Sequence, residues 1–248
     1  CMDINVINIS EIDSTNSYAV GLIEKGKANE GDVVVTKSQK QGKGQGENHW
    51  ESEPNKNITG TLILEPIFIS PSRQFVLTQL ISLSIISILD NYLSKYNTNS
   101  SIKWPNDIYI GNKKIAGILF QNFVVGESLT YSVIGIGINI NQKKFSLKTG
   151  NPIALIEYLK EEVDTNDILN EILEDFKNRY ESFREYQDYN NVNEAYLDKL
   201  YLKGAWHNFT DLNGSFTGKI SDVDEFGRLE IITRSGNSRL YLFKEVTF

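Results

Sequence analysis

A short polar run, KWPND from Lys103 to Asp107, lies between two apolar segments and combines an ammonium, an X-Pro dipeptide, an amide and a carboxylate. Because Pro105 fixes its own φ and restricts Trp104, the direction of Lys103 would be held. An ammonium at a strand end can stabilise two anions that otherwise repel, such as a carboxylate attacking a phosphate. From the spacing alone, a surface lysine before a turn is an equally good interpretation. Asn106 and Asp107 could either cap that turn or bind Mg²⁺.

A glycine-rich stretch between Gln39 and Trp50 has the composition of an anion-binding loop. Its glycines are Gly42, Gly44 and Gly46. Lys40 and Lys43, with Lys37 just before the stretch, make it locally basic. Its glycines allow positive φ and close approach of backbone N–H groups to an anion. It does not match the P-loop pattern, because no Ser or Thr follows a Gly-Lys pair. It does not match G-x-G-x-x-G either, because Glu47 stands where the last glycine would be. The Trp50 ring could stack on a base, which is typically worth about 1–3 kcal/mol. The alternative to an anion-binding loop is a mobile glycine-rich hairpin tip. The alternative to base stacking is that Trp50 anchors the base of the loop in the core.

Two further clusters have the polar groups of a binding site. Gly135 and Gly137 interrupt an apolar strand, which indicates close approach of a ligand or another backbone, or else tight sheet packing. Asn139 follows them and carries a donor and an acceptor suited to an adenine edge or a ribose. The run Ser14-Thr15-Asn16 precedes a predicted helix, where it could bind a neutral polar head or an anion, or simply cap the helix.

The overall composition argues against several classes of function. The 248 residues carry a net charge of −7, with Lys+Arg 25 against Asp+Glu 32, which disfavours nucleic acid and anionic membranes as partners. The two histidines lack metal-ligand spacing, and no G-x-S-x-G elbow occurs. The sequence contains a single cysteine, Cys1, so it cannot form a disulfide framework. No apolar run approaches the roughly 18 residues of a membrane helix and no signal-peptide pattern opens the sequence, so we expect a cytoplasmic protein.

The periodicity predicts an α+β fold in two domains, residues 1–202 and 203–248. The first domain would be a mixed or antiparallel β-sheet backed by helices, and the second a small β-barrel. Strands are predicted at 4–9, 33–35, 61–64, 102–104, 108–110, 115–121 and 131–140, and helices at 13–25, 74–96, 167–186 and 193–202. Gly111-Asn112 is predicted as a hairpin turn. Beyond Lys203, four glycines are predicted at turns: Gly214, Gly218, Gly227 and Gly236.

In their order and spacing, four runs resemble the biotin–protein ligases, also called biotin–[acetyl-CoA-carboxylase] ligases. These runs are EIDSTN at 11–16, GKGQGENHW at 42–50, KWPNDIYIGNKKIAGIL at 103–119 and IGIGININ at 134–141. The resemblance covers residues 4–248 and implies a class II synthetase-like catalytic domain followed by an SH3-like barrel. It implies that ATP with Mg²⁺ activates biotin to biotinyl-5′-AMP, and that a lysine of a biotin carboxyl carrier domain then receives the biotin. Some family members have an N-terminal DNA-binding domain, whereas this sequence resembles the monofunctional type. A homodimer is compatible with it.

Carried over by motif, the resemblance implies a set of site residues. Biotin would contact Ser14, Thr15, Asn16, Gln39, Gly42, Lys43, Gly44, Gln45, Lys103 and Gly117. ATP would contact Lys43, Trp50, Asn106, Lys114 and Asn139. Lys43 and Lys103 would be catalytic, with Lys103 touching both the biotin carbonyl oxygen and the phosphate. The resemblance does not indicate which residues bind Mg²⁺.

The glycine-rich loop departs from the family pattern, which usually reads close to GRGRRGRxW. Only Lys43 keeps a charge at the arginine positions, while Gln45, Gly46 and Asn48 are neutral and Glu47 replaces a glycine. Lysine lacks the planar fork with which arginine holds a phosphate, so this loop is expected to retain the adenylate less tightly. Two alternatives therefore stay open: a lipoate–protein ligase or octanoyltransferase of the same superfamily, and a catalytically weakened ligand-binding homologue.

Overall fold

The structure, a computed structural model, describes residues 2–44, 49–146 and 151–248. Its first seven strands are β1 (Asn5–Ile12), β2 (Asp32–Gln39), β3 (Ile58–Leu64), β4 (Ser100–Lys103), β5 (Asp107–Ile110), β6 (Lys113–Val125) and β7 (Ser128–Ile138). They form one sheet in the order β1-β2-β3-β7-β6-β5-β4. Only the β1–β2 pair is parallel in this sheet, as far as the described residues show. The predicted mixed sheet is therefore confirmed.

Helices cover both faces of this sheet unequally. Among the described residues they are α1 (Thr15–Glu24), α2 (Phe75–Leu93), α3 (Ile156–Leu159), α4 (Thr165–Tyr186) and α5 (Tyr189–Asp198). The strand side chains alternate, so Ile134, Ile136 and Ile138 join the large core with α2 and α4. Val133 on the opposite face joins a small core beneath Ala19 of α1. Beyond α1 that second face is free to hold a site.

The helical stretch Pro71–Tyr96 is long and apolar enough by composition to cross a membrane, contrary to the expectation from the sequence. In this fold 78% of its most apolar window is buried. The helix is buried on nearly all sides because it packs between the sheet, α4 and α5. Its composition is therefore explained by its position as the central core helix.

The C-terminal part forms a second, smaller sheet. Its strands are β8 (His207–Asp211), β9 (Gly214–Val223), β10 (Leu229–Thr233) and β11 (Ser238–Tyr241), all antiparallel in the order β11-β10-β9-β8. Thr247 continues past β11 and pairs with Thr210 on the free side of β8. The prediction of a turn at Gly218 is wrong, because Gly218 lies inside β9 opposite Thr233. A side chain there would collide with Ile231, which explains the glycine.

Polar contacts fasten the small sheet to the KWPND end of the large one. The indole Nε1 of Trp104 donates to the carbonyl oxygen of Gly227 at 2.9 Å. Gly227 has a φ of +82° and would place a Cβ 2.5 Å from Phe75, so the turn docks directly on the start of α2. An ion pair between Arg73 and Glu225 at 3.0 Å supports the same contact. As a result, the segment after β11 lies beside Trp104 and its neighbours.

Element boundaries differ from prediction where caps decide them. The last predicted helix, 193–202, begins instead at Tyr189 because Asp188 accepts a hydrogen bond from the backbone N–H of Asn191. It ends at Asp198, and the chain then turns so that Leu200 pairs with Ile102 of β4. The one-turn helix α3 was not predicted. The Gly111-Asn112 turn between β5 and β6 is confirmed, with a φ of +59° at Gly111.

Candidate functional site

A row of paired residues crosses the sheet on the α1 face. Thr59 pairs with Gly137, Gly137 with Gly117, Gly117 with Asp107, and Asp107 with Lys103. Directly paired residues point to the same face, so these five share one side of the sheet. The first four line a cavity of about 150 Å³ that extends from the start of α1 to the C-terminal sheet. Lys103 lies one strand beyond the lining.

The start of α1 forms one end of the cavity, through Ser14, Thr15 and Asn16. Two of its N-terminal N–H groups are already bonded: Thr15 donates to Gln39 Oε1 at 2.9 Å, and Ser17 donates to Ser14 Oγ at 3.3 Å. Asn16 is 7% exposed and its Nδ2 has no partner among the described residues, although the hydroxyl of Thr61 donates to its Oδ1 at 2.6 Å. This end therefore offers a buried amide donor rather than a free helix terminus.

The ring of Trp50 lies flat against the glycines of β6 and β7. A Cβ on Gly137 would fall 2.5 Å from the ring, and one on Gly117 would fall 3.1 Å from it. A Cβ on Gly135 would collide with the Asn16 side chain. The strand glycines therefore make room for packed side chains, which fits tight packing on the sheet, one of the two interpretations that the sequence left open. The buried Nε1 of Trp50 has no hydrogen-bond partner among the described residues.

The opposite end carries Asn106, Asp107 and Lys114. The Lys114 ammonium is 2.7 Å from Asp107 Oδ1 and 5.7 Å from the centre of the Trp50 ring. Asn106 is buried, and its Nδ2 donates to the carbonyl oxygen of Ile118 at 2.6 Å, which ties the KWPND turn to β6. Asn106 thus supports the turn and also faces the cavity.

The two described ends of the glycine-rich stretch meet beside the cavity, where Lys43 and His49 form an antiparallel bridge. The Lys43 ammonium donates to the hydroxyl of Ser17 at 2.9 Å, and Gly44 also lines the cavity. Gly42 is buried, and any side chain there would collide with the Trp50 carbonyl. The predicted site residue Gln45, together with Gly46, Glu47 and Asn48, lies outside the described residues.

Most of the described sequence-predicted residues line this cavity, but Gly42, Lys103 and Asn139 lie beside it. The Lys103 ammonium is 3.4 Å from the Tyr109 hydroxyl, away from the lining. Asn139 is 2% exposed and turns its Nδ2 toward the carbonyl oxygen of Ile153 at 3.2 Å, leaving its Oδ1 without a partner in the described structure. The described lining also contains Phe243, which the sequence analysis missed. No local pattern could have indicated Phe243, because only the docking of the small sheet brings it here.

Comparison with known proteins identifies the family of this chain. The model of the biotin/lipoate A/B protein ligase family matches residues 9–139. The chain belongs to this family. It is 30% identical over 236 residues to the bifunctional ligase/repressor BirA of Bacillus spizizenii. The alignment covers 93% of this chain and 70% of that protein.

Solved structures of similar fold come from the same family. Biotin protein ligase from Aquifex aeolicus, in complex with biotin and ATP, has a TM-score of 0.80 at 24% identity and covers 98% of this chain and 97% of its own. The Leishmania major enzyme in complex with biotinyl-5-AMP has a TM-score of 0.63 at 20% identity, over 96% of this chain and 98% of its own. At these identities the likeness establishes the fold.

Proposed function

We propose that this protein is a biotin–protein ligase, which activates biotin with ATP and transfers it to a lysine of a biotin carboxyl carrier domain. The observation that carries the proposal is the single cavity that joins the α1 terminus to the KWPND turn. Its two ends differ in chemistry. The α1 end suits a neutral head group, and the KWPND end suits an anionic group. Family membership and the relatives that bind biotin and ATP support the same function.

The α1 end suits a neutral polar head such as the ureido ring of biotin. Its available donor is the buried Asn16 Nδ2, and its hydroxyls belong to Ser14 and Thr15. The α1 N–H groups of Thr15 and Ser17 already have partners, which disfavours an anion there. A buried donor without a partner costs free energy, so a ligand that accepts its hydrogen bond would be favoured. In this proposal Gln39 and Gly42 shape the same end.

The middle of the cavity and its KWPND end suit the reacting anions. Lys43 is exposed in the glycine-rich stretch and can approach a carboxylate or phosphate, and Gly44 and Gly117 allow close approach. Gln45, if it follows the family pattern, would extend this contact. The outer face of Trp50 would stack the adenine, while Asn106, Lys114 and Asn139 would hold the nucleotide. Lys103 would move in from the adjacent strand, about 5 Å away, which the length of a lysine allows.

The proposed reaction has two steps. A carboxylate oxygen of biotin attacks the α-phosphorus of ATP, the bond to the β-phosphate oxygen breaks, and pyrophosphate leaves. The amine of the acceptor lysine then attacks the biotin carbonyl carbon, loses a proton, and releases AMP. In both steps negative charge accumulates on oxygens near the phosphorus, where the ammoniums of Lys43 and Lys103 would stabilise it.

Mg²⁺ would enter this site with the phosphates of ATP. Mg²⁺ is usually bound by one or two carboxylates together with substrate phosphates. Asp107 is the carboxylate of the described lining, and its pairing with Lys114 shows that it can hold a cation. The residues present therefore fit such an ion, which would neutralise phosphate charge when bound.

Three finer assignments belong to the same proposal. The C-terminal sheet would be SH3-like, which the pairing of Thr247 with Thr210 supports because it extends the sheet past β8. The acceptor would be a biotin carboxyl carrier domain, and the protein would act in the cytoplasm, where ATP and carboxylases meet. Fewer cations in the glycine-rich stretch would let the adenylate escape more readily.

The proposal is tested by incubating the protein with ATP, Mg²⁺ and a purified carrier domain, in parallel with biotin, lipoate or octanoate. We expect intact-mass spectrometry to detect one added biotin on the carrier domain and no lipoyl or octanoyl adduct. Modification by lipoate or octanoate instead would assign the chain to the other branch of the family. Binding of biotin without any product would identify a ligand-binding homologue.

A further inference from the structure

The ammonium of Lys103 is held by aromatic rings rather than by a carboxylate. It lies 5.2 Å from the centre of the Tyr109 ring and 5.3 Å from that of Phe248, with the Tyr109 hydroxyl at 3.4 Å. No ion pair of Lys103 occurs among residues 2–44, 49–146 and 151–248. An aromatic face and a neutral hydroxyl both hold a cation without cancelling its charge. The charge of Lys103 thus remains available to an anionic ligand.

The nearest competitor for this ammonium is Asp107. Lys103 and Asp107 are directly paired on β4 and β5, and cross-strand neighbours have Cβ atoms about 4.5–5.5 Å apart. A lysine and an aspartate at that distance readily form an ion pair. Here Asp107 is bonded to Lys114 instead, at 2.7 Å. Something must therefore keep Lys103 from the carboxylate that faces it.

Both rings are fixed by their own neighbours. Tyr109 packs against Tyr201 with ring centres 5.4 Å apart, and Phe248 packs edge-on against Phe209 at 5.5 Å. The pairing of Thr247 with Thr210 orients the segment that carries Phe248. The Lys103 ammonium donates a hydrogen bond to the Tyr109 hydroxyl, whose pKa is raised by burial, so this partner is neutral and leaves the charge of Lys103 uncancelled.

We propose that Tyr109 and Phe248 are positioning residues which hold the Lys103 ammonium away from Asp107, charged and available for the anions of the reaction. This inference rests on the proposed function, because it assigns a use to the charge of Lys103. It also gives the C-terminal sheet a direct part in catalysis, since Phe248 reaches Lys103 from that sheet. Neither aromatic residue needs to touch substrate.

The kinetic test measures biotin- and ATP-dependent pyrophosphate release by variants of the two rings. We expect Tyr109→Leu and Phe248→Leu each to lower kcat by roughly fivefold or more, as loss of one cation–π contact implies, with little change in KM for biotin or ATP. Tyr109→Phe keeps the ring but loses the hydroxyl that the ammonium bonds, and should lower kcat about as much as Tyr109→Leu. The matched control Tyr186→Leu removes a tyrosine that is 70% exposed on α4 and should leave kcat unchanged.

A double-variant comparison separates positioning from general damage. In an Asp107→Asn background no carboxylate can capture Lys103, so Tyr109→Leu should cost a smaller factor in kcat than it does in the parent protein. Equal factors in the two backgrounds would overturn the proposal, as would unchanged kcat in both leucine variants. A general folding defect would lower the melting temperature and would not depend on residue 107.

An independent readout does not require turnover. After reductive ¹³C-methylation of the lysines, the methyl groups of Lys103 should resonate upfield of those of Lys95, because they lie over the ring of Phe248. Lys103→Arg assigns the signal, and Phe248→Leu should move it toward the ordinary position. An ordinary shift in the parent protein would refute the aromatic contact, whereas an upfield shift without pyrophosphate release would fault the proposed function alone.

Discussion

Two lysines beside the cavity differ in what their neighbours allow them to do. The Lys114 ammonium is paired with Asp107 at 2.7 Å, so much of its charge is already balanced. Lys103 has aromatic neighbours and no carboxylate partner in the described structure. A new anion in the cavity would therefore gain more from Lys103 than from Lys114, since it need not displace an existing partner.

Replacing Lys103 should affect chemistry far more than folding. The variant Lys103→Ala should fold normally and lose adenylate formation by roughly 10²-fold or more, the scale found when a preorganised charge is removed. Pyrophosphate release measures the rate, and a melting curve checks the fold. Lys95→Ala, on the exposed turn after α2, is the matched control. Near-normal rates in Lys103→Ala would remove the role assigned to this ammonium.

The strand glycine beneath Trp50 should be intolerant of even one methyl group. Gly137→Ala would place a carbon 2.5 Å from the ring, so we expect a loss of about 1–3 kcal/mol in the free energy of unfolding, typical of overpacking. Gly21→Ala meets nothing within 4 Å in α1 and should stabilise by about 0.5–1 kcal/mol. Urea unfolding compares the two. A stable Gly137→Ala protein would show that Trp50 does not rest on this strand.

At the scale of elements, the start of α1 combines a structural and a binding task. Ser14 caps the helix by accepting from Ser17, and Gln39 at the end of β2 accepts from Thr15. The same Ser14 lines the cavity. The N-terminus of α4 has a comparable cap, Asp164, which accepts from Asn166 at 2.8 Å but lies away from this cavity.

The two caps offer a matched comparison. Ser14→Ala and Asp164→Ala should each cost about 1 kcal/mol of stability, the usual value for a lost N-cap. Only Ser14→Ala should also weaken biotin binding, because only Ser14 faces the cavity. Calorimetric titration with biotin measures the affinity and chemical denaturation the stability. Equal biotin affinity in both variants would mean that Ser14 serves the helix alone.

How far the sequence predicts these elements depends on which interactions are local. The strands and the long helices follow from side-chain periodicity, and the Gly111-Asn112 turn follows from its residue types. The row that joins Thr59 to Lys103 was not predictable, because it depends on the register of four strand pairs and on a bulge between Ile108 and Tyr109. The motifs identified the candidate site residues individually. They could not indicate that Lys103 and Asn139 lie beside the cavity rather than in its lining.

At the scale of the whole molecule, the C-terminal sheet completes the site. Phe243 lines the cavity, with its ring 6.4 Å from that of Trp104, and Phe248 lies against Lys103. These contacts depend on the docking of the Gly227 turn against Trp104 and Phe75. Sequence patterns predicted a separate small β-domain but carried no information on where it docks, because docking is determined by surfaces far apart in the chain.

Buried tyrosines should make the molecule sensitive to alkali. Burial raises the pKa of Tyr180 and Tyr196 well above the ordinary value near 10. Below about pH 10 these tyrosines are protonated in both the folded and the unfolded state. Above that pH they ionise readily only in the unfolded chain. The free energy of unfolding should therefore fall as pH rises, by up to about 1.4 kcal/mol per pH unit for each tyrosine.

Urea unfolding between pH 8 and 11 measures this dependence. Tyr180→Phe loses the hydrogen bond to Glu30 and should be less stable at pH 8, but its stability should fall less steeply with pH than that of the parent. Tyr18→Phe, on the exposed side of α1, is the control and should keep the parent slope. Identical slopes in all three proteins would contradict the assigned burial of Tyr180.

The central claim, attack of a carboxylate on the α-phosphorus of ATP inside this cavity, is tested most directly by oxygen transfer. Biotin labelled with ¹⁸O in both carboxylate oxygens is incubated with the protein, ATP, Mg²⁺ and a carrier domain, and the released AMP is analysed by mass spectrometry. We predict one ¹⁸O atom in each AMP and none in pyrophosphate. Biotinylated carrier accompanied by unlabelled AMP, or by labelled pyrophosphate, would contradict the account.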